Sequence, residues 1–240
     1  LKKRLNYLLL LLFVLASLGS MAQVDTIAPE TIPFTEVERP VRPKQNFLYS
    51  PRGSLTVPLP IGNSAFRKSF VGVYEFNGGF NVMVYKGIFA GLTYKNSLLI
   101  ITPTKIPDYN ASMTINSGAF KVGNDFYLGD RNSVILSTSI AVGQNNSRYH
   151  SFVSKDFSKR PSFNGFKASY VEPEIDMYFL VESNFAIGAS VTYSIINRNF
   201  DPSELYLDQW AGFPENNSGL IRYLSFGFGV YYGFAKRSNQ

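Results

Sequence analysis

The chain has 240 residues, including 21 Phe, 15 Tyr and 19 Gly, no cysteine, and a formal charge of +6, of which Lys2, Lys3 and Arg4 supply three. The absence of cysteine excludes disulfides, thiolate metal sites and a lipid anchor on a cysteine. The remaining +3 is no nucleic-acid-binding balance, and no stretch approaches the roughly 20 apolar residues that a membrane-spanning helix needs.

Residues 1–22 read as an export signal. A basic start at Lys2, Lys3 and Arg4 precedes an apolar run from Leu8 to Leu18, and Ser20-Met21-Ala22 offers the small residues a signal peptidase reads. The mature chain is expected to begin at Gln23. Residues 23–50 carry Pro29, Pro33, Pro40 and Pro43 without a sustained period and read as a disordered, Pro-rich lead-in. A plain spacer is the simpler role for it, and a docking peptide for a partner is the alternative.

From there, apolar and polar residues alternate in eight segments, the signature of β-strands with two unlike faces. The first, about Arg52 to Pro58, is short, and Pro58 and Pro60 cannot donate to a ladder. The second runs from about Val71 to Val84, with Tyr74, Phe76, Phe80, Val82 and Val84 on one face and Glu75, Asn77, Gly79 and Asn81 on the other. A tight turn at Tyr85-Lys86-Gly87 leads to the third, Ile88 to Ile101. The fourth, Ile115 to Leu128, ends in the turn Gly129-Asp130-Arg131-Asn132, rich in residues that tolerate left-handed dihedrals. The fifth spans Ser133 to Gly143, with small Ser137, Ser139, Ala141 and Gly143 on the polar face. The sixth spans Lys167 to Leu180, turns at Glu182-Ser183-Asn184, and is followed by the seventh, Phe185 to Ile195. In the eighth, Leu224, Phe226, Phe228, Val230, Tyr232 and Phe234 alternate with Tyr223, Ser225, Gly227, Gly229, Tyr231 and Gly233.

The connections define the topology. Those after segments two, four and six are short turns, whereas those after one, three, five and seven are long, roughly Pro60 to Phe70, Thr102 to Thr114, Gln144 to Phe166 and Ile196 to Leu220. Short periplasmic turns opposite long extracellular loops describe a transmembrane β-barrel. The expected fold is therefore all-β, an eight-stranded antiparallel barrel over residues 51–234, with a tail at 235–240.

The eight-segment plan, the export signal and the closing Gly227-Phe228-Gly229-Val230-Tyr231-Tyr232-Gly233-Phe234 resemble the small outer-membrane barrels of the OmpA/OmpX type in Gram-negative bacteria. The resemblance implies an outer-membrane location. It also implies that Gly229, Tyr232 and Phe234 form the signal read by the barrel-assembly machinery. The six residues after Phe234 depart from a pattern in which many such chains end on the aromatic itself.

A barrel of eight strands has a lumen just wide enough for side chains to fill. Counted from the short turns, Glu75, Lys95, Lys121, Glu172 and Glu174 fall near one level and are expected to form an ion-pair layer, because unpaired charges there cost several kcal/mol each. Asp125 and Asp176 fall lower, without an evident basic partner. The layer is read as a structural plug, with a gate or narrow proton or cation path as the alternative. His150 is the only histidine and is placed in the third long loop. An acyl-transfer site there would need a serine and an acid beside it, which nothing in the sequence fixes. No motif implies a cofactor or metal.

The third long loop is basic, with Arg148, Lys155, Lys159 and Arg160 against Asp156, and suits lipopolysaccharide phosphates. The fourth is acidic, with Asp201, Glu204, Asp208 and Glu215 against Arg198, and the two are complementary enough to close as a lid. Trp210 in the fourth reads as an interfacial anchor. The expected function is a non-catalytic barrel with a structural or surface-interaction role through its loops. The alternatives are a narrow channel, an accessory barrel of a secretion or envelope-assembly machine resembling the PorT type, with a periplasmic or secretion partner, and, least favoured, a lipid A-modifying enzyme.

Overall fold

A computed structural model describes residues 47–101, 109–129, 133–153, 165–205, 207 and 219–235. The expected export signal, most of the lead-in, Trp210, and Lys155, Lys159 and Arg160 of the basic loop lie outside the described residues. Eight long strands, β1 (Phe47–Gly62), β2 (Phe70–Tyr85), β3 (Ile88–Ile101), β4 (Tyr109–Leu128), β5 (Val134–Val153), β6 (Gly165–Leu180), β7 (Phe185–Asn199) and β8 (Leu220–Tyr232), pair antiparallel with their sequence neighbours. β1 pairs with both β2 and β8, which closes the barrel. A two-residue β9 (Phe234–Ala235) continues the last strand against the start of β1.

Closure explains why the first strand is stronger than its prolines suggest. β1 has 16 residues rather than the seven expected from Arg52 to Pro58, and it begins inside the segment 23–50 read as disordered. Its ladder to β2 ends at Thr56↔Glu75, while its ladder to β8 continues through Pro58↔Ser225 to Gly62↔Ile221. The prolines fall where one of the two ladders has ended, so the lost N–H donors remove little pairing. Ala235, assigned to the tail, is the last paired residue opposite Phe47.

The short connections behave as their residues require. Lys86 and Gly87 both have positive φ, 37° and 96°, the pair of left-handed residues that a two-residue hairpin matched to strand twist demands. Gly233 N–H donates to Asn184 O at 2.7 Å, which ties the turn between β6 and β7 to the end of β8. The first long connection holds a short helix, α1 (Ser64–Ser69), that strand periodicity did not show. Asn63 caps it by accepting from Phe66 N–H at 3.0 Å, as N-cap residues do.

Two faces separate cleanly. Phe76, Phe80, Leu92, Phe120, Val142, Ile175, Val191, Phe226, Phe228 and Val230 are exposed on the outer wall, and Phe228 is 82% exposed. A continuous apolar belt of this kind is at home in hydrocarbon and not in water. β4 and β5 have 20 residues each, about twice the 9–11 a tilted strand needs to cross a bilayer. Their outward residues change character part-way along. The row Leu92, Phe120, Val142, Val171 is apolar, and the next outward row toward the long loops is Tyr94, Gly118, Gln144, Ser169. Residues Gln144 to Val153, assigned to a loop from the sequence, are therefore strand that rises beyond the apolar belt. Their polarity hid them, because the alternation that marks a strand in lipid is lost above it.

Phe228 lies midway along the outward stripe of β8, near the middle of the belt. Phe228→Arg is expected to reduce the free energy of folding into lipid vesicles by about 2–4 kcal/mol. Gln144→Arg, one row beyond the belt, is expected to stay within about 0.5 kcal/mol of the parent. Urea titration in vesicles measures both, and equal costs would move the membrane boundary.

Candidate functional site

The lumen is built in storeys. At the long-loop end, Phe66 of α1 and Phe70 pack with Phe200 at ring distances of 5.4–5.7 Å. Leu99, Met113, Ile196, Leu205, Leu207 and Ile221 join them in one buried apolar cluster. At the short-turn end Tyr178 and Tyr231 pack 5.5 Å apart beside Phe47, Ile135 and Ala186. Between these two apolar stoppers stand the charges.

Lys95 of β3 reaches across the lumen to Glu172 of β6, and its Nζ donates to Ser194 Oγ at 2.7 Å. Glu75 lies 3.6 Å from the same ammonium and accepts from Ser97 Oγ at 2.7 Å and from Thr56 Oγ1 at 3.2 Å. Tyr170 and Tyr223 place their rings 5.4 and 5.0 Å from Lys95 Nζ. The ammonium thus has two carboxylates, a hydroxyl and two ring faces around it, the compensation a buried cation requires. Lys121 of β4 pairs separately with Glu174 at 2.6 Å.

The single five-residue layer expected from counting is therefore two groups, Glu75 with Lys95 and Glu172, and Lys121 with Glu174. The reason is barrel shear: hydrogen-bond rows run obliquely to the axis. Lys121 shares a row with Ala141 and Glu172, yet Lys95, whose own partner on β4 is Ser117, is the residue that meets Glu172. The small inward residues of β5, Ser139 and Ala141, stand between β4 and β6 in this register and leave room for the long side chains to pass over them.

A third group was missed. Arg52 of β1 donates to Asp125 Oδ2 at 2.6 Å and to Ser137 Oγ at 2.6 Å, with its guanidinium 4.3 Å from the ring of Phe89 and 4.8 Å from that of Tyr231. Asp125 thus has the partner that the sequence did not reveal. The sequence carries the signal in Arg52, but the short, proline-flanked segment expected there assigns its side chain to neither face. Asp176 is buried beside Glu174 and Ser190.

The remaining candidates are placed as follows. Gly229 faces inward, where a Cβ would lie 3.1 Å from the Tyr178 ring. Tyr232 and Phe234 face outward with rings 4.9 Å apart, and Asn184 donates to Tyr232 Oη at 2.5 Å. Arg148 and His150 are on β5, not in a loop, and both are exposed. His150 stands opposite Ser112, and every carboxylate of the eight strands is buried on the other face, so no acid of the strands completes a triad there. Arg198, expected in the fourth loop, lies at the end of β7 and pairs with Glu204 of the connection that follows, and Tyr149 donates to Glu204 at 3.2 Å, which fastens the start of the fourth loop to β5. Among the described residues no group of three or more metal-ligating side chains gathers.

The sequence matches no protein-family model and none of the curated proteins. Solved structures do match. Neisserial surface protein A aligns with a TM-score of 0.50 at 11% identity, over 78% of this chain and 97% of that one. Ail, the attachment invasion locus protein of Yersinia pestis, aligns with a TM-score of 0.43 at 12% identity, over 78% and 97%. OprG of Pseudomonas aeruginosa aligns with 0.38 at 12%, over 79% and 98%. The chain has the fold of the small eight-stranded outer-membrane barrels. At such identities the likeness speaks for architecture and not for activity.

Removing one partner of a buried pair leaves the other charge uncompensated, at a cost of roughly 3–5 kcal/mol. Arg52→Met is expected to lower the urea unfolding midpoint accordingly, with Asp125→Asn recovering part of the loss. In a double-mutant cycle Lys121→Met is expected to couple to Glu174→Gln, and to be additive within about 0.5 kcal/mol with Glu172→Gln. The reverse pattern would mean that the strands are in another register.

Proposed function

We propose that this protein is a closed, non-catalytic barrel of the outer membrane that acts through its outer surface and its long-loop end. The observation that carries this reading is the filled lumen. An apolar cluster from α1 and the start of the fourth loop, three ion-paired groups and an aromatic cluster follow one another from end to end. A hydrated path would have to pass both apolar stoppers, which favours a plug over a gate or proton path. What stays accessible is the outer wall and the rim. Extracellular placement of the long connections follows from their length, and the pairing of Glu204 with Arg198 and Tyr149 gives that rim a fixed shape for contact. Gly229, Tyr232 and Phe234 lie on the closing strand, where the assembly machinery is expected to engage.

Reconstitution into planar bilayers tests the reading. The folded protein is expected to add no stepwise current over the lipid background between about pH 5 and pH 8. A reproducible unit conductance would overturn it in favour of a channel. The triple change of Phe66, Phe70 and Phe200 to Ala, which empties one stopper, is expected to remain closed because the ion-paired storeys persist.

A further inference from the structure

The carboxylates of the strands are confined to one face, while cations occur on both. All five strand carboxylates, Glu75, Asp125, Glu172, Glu174 and Asp176, are buried in the lumen. On the outer wall the strands present Arg148 and Lys167, both exposed, together with Arg222, and no acid among the described residues. Arg148 and Lys167 sit on adjacent strands, β5 and β6, with Lys167 two outward rows and Arg148 three beyond the last apolar row, Val142↔Val171.

The same patch carries an ordered row of amides. Asn96, Asn116 and Asn146 are direct cross-strand partners, and the row ends on Lys167. Asn96 Nδ2 donates to Asn116 Oδ1 at 2.7 Å, Tyr94 Oη donates to the same oxygen at 2.8 Å, and Tyr74 Oη donates to Asn96 Oδ1 at 3.1 Å. Asn96, Asn116 and the two tyrosines are thereby held in place before any ligand arrives, which lowers the ordering cost of binding, and Asn146 stands beside Asn116 in register. Gly118, between Tyr94 and Gln144 in the adjacent row, leaves open space: a Cβ there would meet nothing within 4 Å. The result is a flat, polar shelf with a tyrosine edge, planar amides and a cationic corner, continuous with the lipid-facing belt below it.

We propose that this shelf binds the phosphorylated sugar headgroup of an outer-leaflet glycolipid whose acyl chains lie against the belt. Arg148 and Lys167 take the phosphate, because guanidinium and ammonium are the groups that make charge-assisted hydrogen bonds to it. The amides of Asn96, Asn116 and Asn146 face the sugar hydroxyls, which both donate and accept. Position supplies the partner: a surface directly above hydrocarbon meets headgroups, and its lack of carboxylates suits an anionic one. The proposal rests on the outer-membrane reading above.

The test uses the mature protein refolded into phosphatidylcholine nanodiscs doped with lipopolysaccharide or, at matched charge, with phosphatidylglycerol, which carries a phosphate but no sugar. Folding is scored first and independently by strand circular dichroism and heat-modifiable gel mobility, so a failed barrel is distinguished from a failed site. Lipid retained after exchange into pure phosphatidylcholine is then measured. Lipopolysaccharide is expected to be retained over phosphatidylglycerol, and Arg148→Gln with Lys167→Gln to weaken that retention about tenfold or more, the loss of a charge-assisted contact. Asn116→Leu is expected to reduce lipopolysaccharide retention alone, and Lys86→Gln at the opposite end to change neither. In the unmodified protein Lys167, but not Lys86, is expected to be protected from acetylation by lipopolysaccharide. Equal retention of the two lipids, full retention by the Arg148 and Lys167 double variant, or an unprotected Lys167 would each overturn the proposal.

Discussion

Closure is the constraint from which the rest follows. In hydrocarbon an unpaired backbone N–H or C=O costs several kcal/mol, and a sheet can meet that demand only by having no edges. Pairing of β1 with β8 over Arg52↔Tyr231 to Gly62↔Ile221 completes the ring. Once the sheet is closed, every side chain must point either to lipid or into a lumen too narrow for anything but side chains. The apolar belt and the packed polar interior are two consequences of one topological fact.

A polar lumen is then a problem of compensation. Side chains that point inward cannot be reached by bulk water past the apolar stoppers, so the charges need partners in the protein, and all the lumen carboxylates but Asp176 lie against a cation. The partners come from distant strands: Arg52 on β1 meets Asp125 on β4 and Ser137 on β5, while Lys95 on β3 meets Glu172 on β6 and Ser194 on β7. None of these contacts exists within a single hairpin. They appear only when the whole barrel is in register. A slip by one residue would turn the charges into lipid, and a slip by two would separate them. The ion pairs therefore discriminate against wrong closures more than they add to stability, since a well-packed apolar interior would hold the barrel at least as firmly.

Much of the architecture was legible because the physics of the membrane is local. Alternation at Leu224 to Phe234 marks a lipid-facing strand wherever it falls in the chain, and the turns at Lys86-Gly87 and Glu182 to Asn184 announce themselves by residue type. What was not legible depended on non-local geometry. The strength of β1 comes from β8, about 160 to 180 positions later, and so the reach of Arg52 to Asp125 was invisible. The level of Lys121 relative to Glu172 and Glu174 is set by shear, which no count along one strand contains. The upper half of β5, from Gln144 to Val153, carries no strand signal because outside the membrane a strand has no need of an apolar face.

The polar upper half of β5 lies in the region where this barrel has freedom. Below the apolar edge, the outer wall is fixed by lipid and the inner wall by charge compensation, and neither leaves room for recognition. Above it, β4, β5 and β6 remain paired, so their backbone is as rigid as the rest, but their outward residues are released from the demand to be greasy. Asn96, Asn116 and Asn146 occupy that released surface in register, and the hydrogen bond from Asn96 to Asn116 keeps those two amides ordered without burial. Small barrels gain binding surface by extending strands past the bilayer, because an extended strand carries the stiffness of the closed sheet into the aqueous layer. A loop of the same length would pay the ordering entropy on each encounter. Strand overhang, not loop length, is therefore the feature of this chain most directly suited to holding a ligand.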